Sequence, residues 1–308
     1  MIQFNYHRPT EGNFSVLKER IFWSVHNLDK ELSLLVDRPS QLPINDYIAL
    51  ELPLKEKLNE QDESDTFIKL LSKRIELHKL QDQVNYLKLT TTKRSQEETS
   101  EVLKEFSSNL EKWRISMSSL IHTEYSGLPN LQEMIGVINL NYYFLLIEMD
   151  QVSSSESFQF TLQFLSSSFG LLLTDSSKPE SDKTNADKAK PTTKISMNSL
   201  FWYKKFFKVI KYNLNSLLEI ADSVPESSTV TPLNLSLKLS EFNGNLQLMI
   251  NLLRYTSQGH IKPSCYSEKI DTAITTLSSL NMELIKNGIV SQNKDSLIHD
   301  IQRFQTLI

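Results

Sequence analysis

Six histidines, at positions 7, 26, 78, 122, 260 and 299, are the first residues from which metal or acid–base chemistry could be built. A helical zinc site needs two imidazoles one turn apart on one face, and no two of these form an H-x-x-x-H pair. Nucleotide and hydrolase signatures are missing too. There is no G-x-x-x-x-G-K-[ST], no G-x-G-x-x-G and no G-x-S-x-G. The acidic pairs Asp62/Glu63 and Glu97/Glu98 lie in polar stretches and read as solvated charge near helix starts. Cys265 is the single cysteine, too few for an internal disulfide or a cysteine-rich zinc site, and reads as a small structural residue of a reducing, intracellular setting. The stretch FWYKKFFKVIKY mixes aromatics with Lys204, Lys205, Lys208 and Lys211, as a nucleic-acid surface would. Spacing argues against that: Lys204, Lys208 and Lys211 share one helical face, and Phe207, Ile210 and Leu214 share another. The sequence therefore predicts no catalytic residue, no cofactor and no metal site.

The elements that would carry any site are helices. Apolar residues recur at spacings of three and four nearly throughout, which is the helical period. The first set is Phe14, Leu17, Ile21, Val25, Leu28, Leu32 and Leu35, with Asn13 as N-cap and Pro39 as the stop. A second runs through Phe67, Leu71, Leu77, Leu80, Val84 and Leu87, with a change of phase near Arg74. The third is Val102, Phe106, Leu110, Trp113, Met117 and Leu120. The segment LQEMIGVINLNYYFLLIEM is apolar all round and predicts a buried central helix rather than a membrane span, since it contains Glu133 and Glu148. Phe158, Leu162, Leu165, Phe169 and Leu172 predict one face of a fifth helix.

The pattern lapses from Thr174 to Lys194, a polar stretch without a large apolar residue, which predicts a disordered loop. Helices resume with Tyr203, Phe206, Ile210, Leu214, Leu217 and Ala221, then Leu235, Leu239, Phe242, Leu246, Met249 and Leu253. Tyr266, Ile270, Ile274, Leu277 and Leu284 form another, with Gly288 placed just past its end, and Leu297, Ile301, Phe304 and Ile308 form the last. The expected fold is all-α, an irregular domain of about eight to ten helices, with residues 1–173 and 195–308 on either side of a 174–194 loop.

Composition agrees. Seven glycines in 308 residues are few for hairpins or phosphate loops, which draw on glycine for positive φ and close approach. The net charge of −4 gives no cationic footprint for DNA, and the mean hydropathy of −0.31 suits a water-exposed chain. No apolar run reaches the about 18 residues of a bilayer span, and the N-terminal stretch lacks the form of a signal peptide.

One stretch is more specific than composition. From Arg20 to Pro53 the chain reads R-x-F-W-x-x-x-x-L-D-x-x-L-S, then R-P, L-P-x-x-D and L-P. The residues that carry the pattern are Arg20, Phe22, Trp23, Leu28, Asp29, Leu32, Ser33, Arg38, Pro39, Asp46, Leu52 and Pro53. They resemble the middle homology region of fungal binuclear zinc cluster (Zn2Cys6) transcription factors. Tyr6–Arg8, the Leu103–Trp113 helix and INLNYYFLLIEM are similar to further parts of that family. Asp37, where a glycine is common before Arg-Pro, and His26, at a usual tyrosine place, depart from it. The six-cysteine cluster and the first part of the middle homology region do not occur in this sequence, so the resemblance is to the C-terminal part of such a factor.

The resemblance implies a nuclear regulator of RNA polymerase II transcription. Its DNA contact and zinc would belong to a separate N-terminal domain, and its helical region would control activity. Implied partners are a second copy, transcriptional co-regulators or a small-molecule effector. The alternative is a helical scaffold, as in a kinetochore subunit built on the same domain. Physically, Phe22 and Trp23 would anchor the first helix, Arg38 would cap its end and pair with Asp29, and the prolines would fix the exit path.

Overall fold

The computed structural model describes residues 15–36, 38, 40–42, 63–90, 95–124, 129–153, 157–174, 200–223, 233–258, 267–289 and 291–307. Among them there are nine helices and no strand. The expected all-α class is therefore what the chain adopts. The 174–194 loop, apart from Thr174, lies outside the described residues, as do Asn13 and Cys265.

The chain divides into two units, Met1–Ile138 and Asn139–Ile308. The first holds α1 (Ser15–Val36), α2 (Glu63–Thr90), α3 (Gln96–Glu124) and the start of α4 (Pro129–Ser153). The second holds the rest of α4, then α5 (Ser157–Thr174), α6 (Leu200–Ser223), α7 (Leu233–Gln258), α8 (Ser267–Asn287) and α9 (Ser291–Leu307). The boundary falls within α4, whereas the sequence places it between residues 173 and 195. The reason is packing: α5 lies against α6 and α7, so it belongs with the helices that follow it.

In the first unit α2 packs against both α1 and α3. A helix with two neighbours must present two faces: Leu70, Leu77, Val84 and Leu87 share one buried stripe, and Ile75, which packs with Phe22 and Trp23 of α1, lies on another. This is the physical content of the phase change near Arg74. α3 is one-sided and follows its sequence pattern, burying Phe106, Leu110, Trp113 and Met117. Trp113 also donates its Nε1 hydrogen to the carbonyl of Lys73, 3.0 Å away, pinning α3 to α2. Ser95 and Glu98 close the start of α3 reciprocally: the Glu98 amide donates to Ser95 Oγ at 3.2 Å, and the Ser95 amide to Glu98 Oε2 at 3.1 Å. That is a capping box.

In the second unit α6 is the inward helix. Tyr203, Phe206, Ile210, Leu214, Leu217 and Ala221 are all buried, as their spacing predicts. The Trp202 ring stacks on Phe206 with centroids 4.8 Å apart. α5 differs from its predicted face: Leu162 is exposed, while Thr161 and Ser168 are buried beside Phe158, Phe164 and Leu165. Small hydroxyl residues can take core positions here because they have partners. Thr161 Oγ1 accepts from Asn213 Nδ2 at 2.7 Å, and Ser168 Oγ from Trp202 Nε1 at 3.3 Å. α4 contributes Phe144, tilted against Phe164, and Glu148, which accepts from the Tyr212 hydroxyl at 2.7 Å. α8 ends at Gly288, whose φ of 59° is left-handed and whose amide donates to the carbonyl of Leu284 at 3.0 Å. No helix among the described residues is long and apolar enough to cross a membrane.

Candidate functional site

The Arg20–Pro53 stretch leads to the interface of α1 and α2. The face that α1 buries there is not the aliphatic stripe that its sequence suggests. Phe22, Trp23, His26, Asn27, Lys30 and Ser33 are buried, while Ile21, Leu28, Leu32 and Val36 are exposed. The periodicity was right about a helix with two faces and wrong about which one points inward. Two large aromatics outweigh scattered aliphatics in area removed from water, and every charged residue on their face finds a partner on α2 or in the exit segment.

Phe22 and Trp23 meet edge to face, centroids 5.2 Å apart, and enclose Ile75 with Leu71 at the margin. Lys79 Nζ lies 5.9 Å from the Trp23 ring centroid. Deeper along the seam, His78 Nδ1 hydrogen bonds to Asn27 Oδ1 at 2.8 Å, and Gln81 Nε2 donates to the Lys30 carbonyl at 3.3 Å. Arg74 pairs with Glu31 at the edge.

Lys30 is the centre of this arrangement. Its ammonium is fully buried and has three hydrogens to place. One goes to the Asp82 carboxylate on α2, one to Ser40 Oγ at 2.5 Å and one to the Leu42 carbonyl at 2.7 Å. Its neighbour Asp29 takes the complementary donors of the same segment. Asp29 accepts from the Ser40 hydroxyl at 2.5 Å, from the Gln41 amide at 3.2 Å and from the Leu42 amide at 3.0 Å. Two adjacent residues of opposite charge thus grip both polarities of residues 40–42, and one of them also fastens α1 to α2. Burial pushes the Asp82 carboxyl above the usual carboxylate range, with the bond to Lys30 working against that shift.

His26 sits beside Trp23, ring centroids 5.2 Å apart, with neither ring nitrogen in a hydrogen bond. Burial, reinforced by the Lys30 cation, lowers its pKa to about 3. It is a neutral packing residue at any physiological pH.

The expected role of Arg38 is corrected. Arg38 is exposed, and Asp29 spends its oxygens on residues 40–42 rather than on a guanidinium. Arg38 does close the helix, but through its backbone amide, which donates to the Ser33 carbonyl at 3.1 Å in a Schellman-type ending. Of the other motif residues, Phe22, Trp23 and Asp29 come together in this seam. Arg20 lies on α1 with its side chain outside the described residues, and Pro39, Asp46 and Pro53 lie outside them altogether.

Sequence reasoning missed Lys30, His78 and Asp82, which have no motif among them. The available signal was position: Lys30 lies seven residues after Trp23, two turns along the same helical face. Chemically the seam is a fastener. The Lys30 hydrogens are committed to three acceptors, and among the described residues no group of three or more His, Cys, Asp or Glu is placed to hold a metal ion. Compared with known proteins, the chain matches no family model, no curated protein and no solved structure.

Proposed function

We propose that this chain is the regulatory helical region of a fungal zinc-cluster transcription regulator, a region that works without touching DNA. The observation that carries the reading is the R-x-F-W…L-D…R-P pattern from Arg20 to Pro39, whose aromatic and acidic members Phe22, Trp23 and Asp29 serve a single fastener. A region that relays a signal needs a fixed exit path, and the Asp29–Lys30 grip supplies one. On this reading the protein is nuclear, and zinc and base contacts belong to a separate N-terminal domain. Co-regulators or a small effector would act on the helices.

The net charge of −4 supports the division of labour. Residues 1–308 alone should give no sequence-selective shift of DNA in a gel assay at physiological salt, while the genomic sequence upstream, in frame, should encode a six-cysteine cluster. A selective, salt-resistant shift by 1–308, or an upstream region without the cluster, overturns the reading.

A second reading is a helical scaffold with no transcriptional role. The exposed aliphatic face of α1 favours it, since such a face suits assembly. The upstream sequence separates the two.

A further inference from the structure

Residues 40–42 are fastened to α1 through two charged side chains. Every hydrogen bond that Ser40, Gln41 and Leu42 make to the rest of the described residues goes to Asp29 or Lys30. The two charges meet on one atom. Ser40 Oγ accepts from Lys30 Nζ at 2.5 Å and from the Leu42 amide at 3.3 Å, and it donates its own hydrogen to Asp29 Oδ2 at 2.5 Å. The Lys30 ammonium beneath it is fully buried, whereas Ser40 is half-buried and Gln41 exposed, in a segment with neither helix nor strand geometry. Lys30 is also shared with Asp82, so the one cation at this point serves two carboxylates. A neutral hydroxyl suits that balance, because it can give a hydrogen to one side and take one from the other.

We propose that Ser40 is a phosphorylation site and that its phosphate releases residues 40–42 from α1. In the transfer the Ser40 oxygen attacks the γ-phosphorus of an ATP held by a protein kinase. The hydroxyl proton passes to the kinase's catalytic carboxylate, and the bond to the β-phosphate oxygen breaks to leave ADP. The product carries nearly two negative charges and no hydroxyl hydrogen. It therefore loses the bond to Asp29 and sets a dianion against that carboxylate. Lys30 does not offset this, because its ammonium is buried and shared with Asp82, and drawing a hydrated phosphate inside costs desolvation. The favourable place for the new charge is outward. There Arg38, exposed, two residues earlier and in no ion pair among the described residues, supplies a cation. The same guanidinium offers a kinase a charged handle beside the acceptor. Ser95 is the other described serine outside a helix, and it makes the contrast. It caps the start of α3, where added negative charge favours the helix instead of opposing the local contacts.

Incubating the full 308-residue chain with ATP and arginine-directed serine kinases tests the site, with mass spectrometry locating the phosphate. Phosphate is expected on Ser40, and Arg38→Ala, at a side chain the fold does not use, should slow its transfer by about tenfold. A second arm bypasses the kinase by building phosphoserine into position 40. Amide exchange at Gln41 and Leu42, both held by Asp29, should then quicken by about tenfold or more, while amides inside α2 keep their protection. Ser40→Ala adds no charge and leaves Asp29 free to hold both amides, so its exchange should change much less. A chain that takes no phosphate at Ser40 overturns the site. Unchanged exchange at Gln41 and Leu42 in the phosphoserine protein, or an equal change in Ser40→Ala, overturns the release. Neither result bears on the DNA and upstream-sequence tests of the regulatory role.

Discussion

α1 and α6 carry similar patterns in sequence and use them in opposite ways. In α6 the aromatic and aliphatic positions fall together, and Tyr203, Phe206, Ile210 and Leu214 go inward while Lys211 stays in water. In α1 the aromatics and aliphatics are on different faces, and the aromatic face, with its polar company, wins the interior. The contrast extends to lysine. Lys205, on the inward side of α6, is also buried, with Nζ 5.9 Å from the Phe144 ring centroid and bonded to Asn141 Oδ1, a neutral acceptor. Lys30 has a carboxylate and two oxygens of a gripped segment. An apolar stripe therefore identifies a helix but not its buried side. What decides the side is whether the polar residues on the competing face find partners.

The heaviest consequence of this choice of face is at Lys30. Lys30→Ala leaves Asp82 partly buried without its cation and should cost about 3–5 kcal/mol in denaturant melts. Asp82→Ala should be comparably damaging. The double variant should lose clearly less than the sum, and additivity within about 0.5 kcal/mol would show that the pair contributes nothing.

A smaller effect comes from His26. In the unfolded chain this imidazole takes a proton below its ordinary value of 6.5, whereas in the folded protein it resists until about 3. Lowering the pH through that window therefore favours unfolding, by about 1.4 kcal/mol per unit. Between pH 6.5 and 4.5 the loss should reach about 2.3 kcal/mol. The groups that act on His26 are Lys30, Asp29 and Lys79. Asp82, whose carboxyl is raised by burial, works in the other direction as it is protonated at lower pH. Comparing wild type with His26→Leu at each pH isolates the histidine: the variant's curve should be flatter by about one proton. Parallel curves would mean that His26 is hydrated and titrates normally.

The smallest effects sharpen the comparison from the exposed side. Arg38→Ala and Leu28→Ala should each shift stability of the dilute protein by no more than about 0.5 kcal/mol. A loss of several times that size at Arg38 would restore the guanidinium clamp that Asp29 otherwise makes unnecessary.

Much of the fold could be read from the sequence because much of it obeys one rule. The buried sets of α3, α6, α7 and α9 and the glycine ending of α8 follow from spacing alone. The site did not, for a definite reason. The free energy of burying Lys30 is decided by Asp82, 52 residues away, and that of burying Thr161 by Asn213, also 52 residues away. A local pattern assigns such residues to water because their partners are invisible to it. The motif did lead to the right helix, through Phe22, Trp23 and Asp29, but it named the wrong partner for Asp29.

The Lys30 ammonium joins parts of the chain that lie at very different separations. Its bonds to Ser40 and Leu42 close loops of 10 and 12 residues, and its bond to Asp82 closes one of 52. Loop closure costs free energy with the logarithm of length, so the long closure is dearer by about 1.3 kcal/mol. The turn after α1 can thus form while the chain is still open, and it leaves Lys30 oriented with one hydrogen unspent. α2 then arrives at a cation already in place, and the slower, longer-range step is a docking onto a finished local structure.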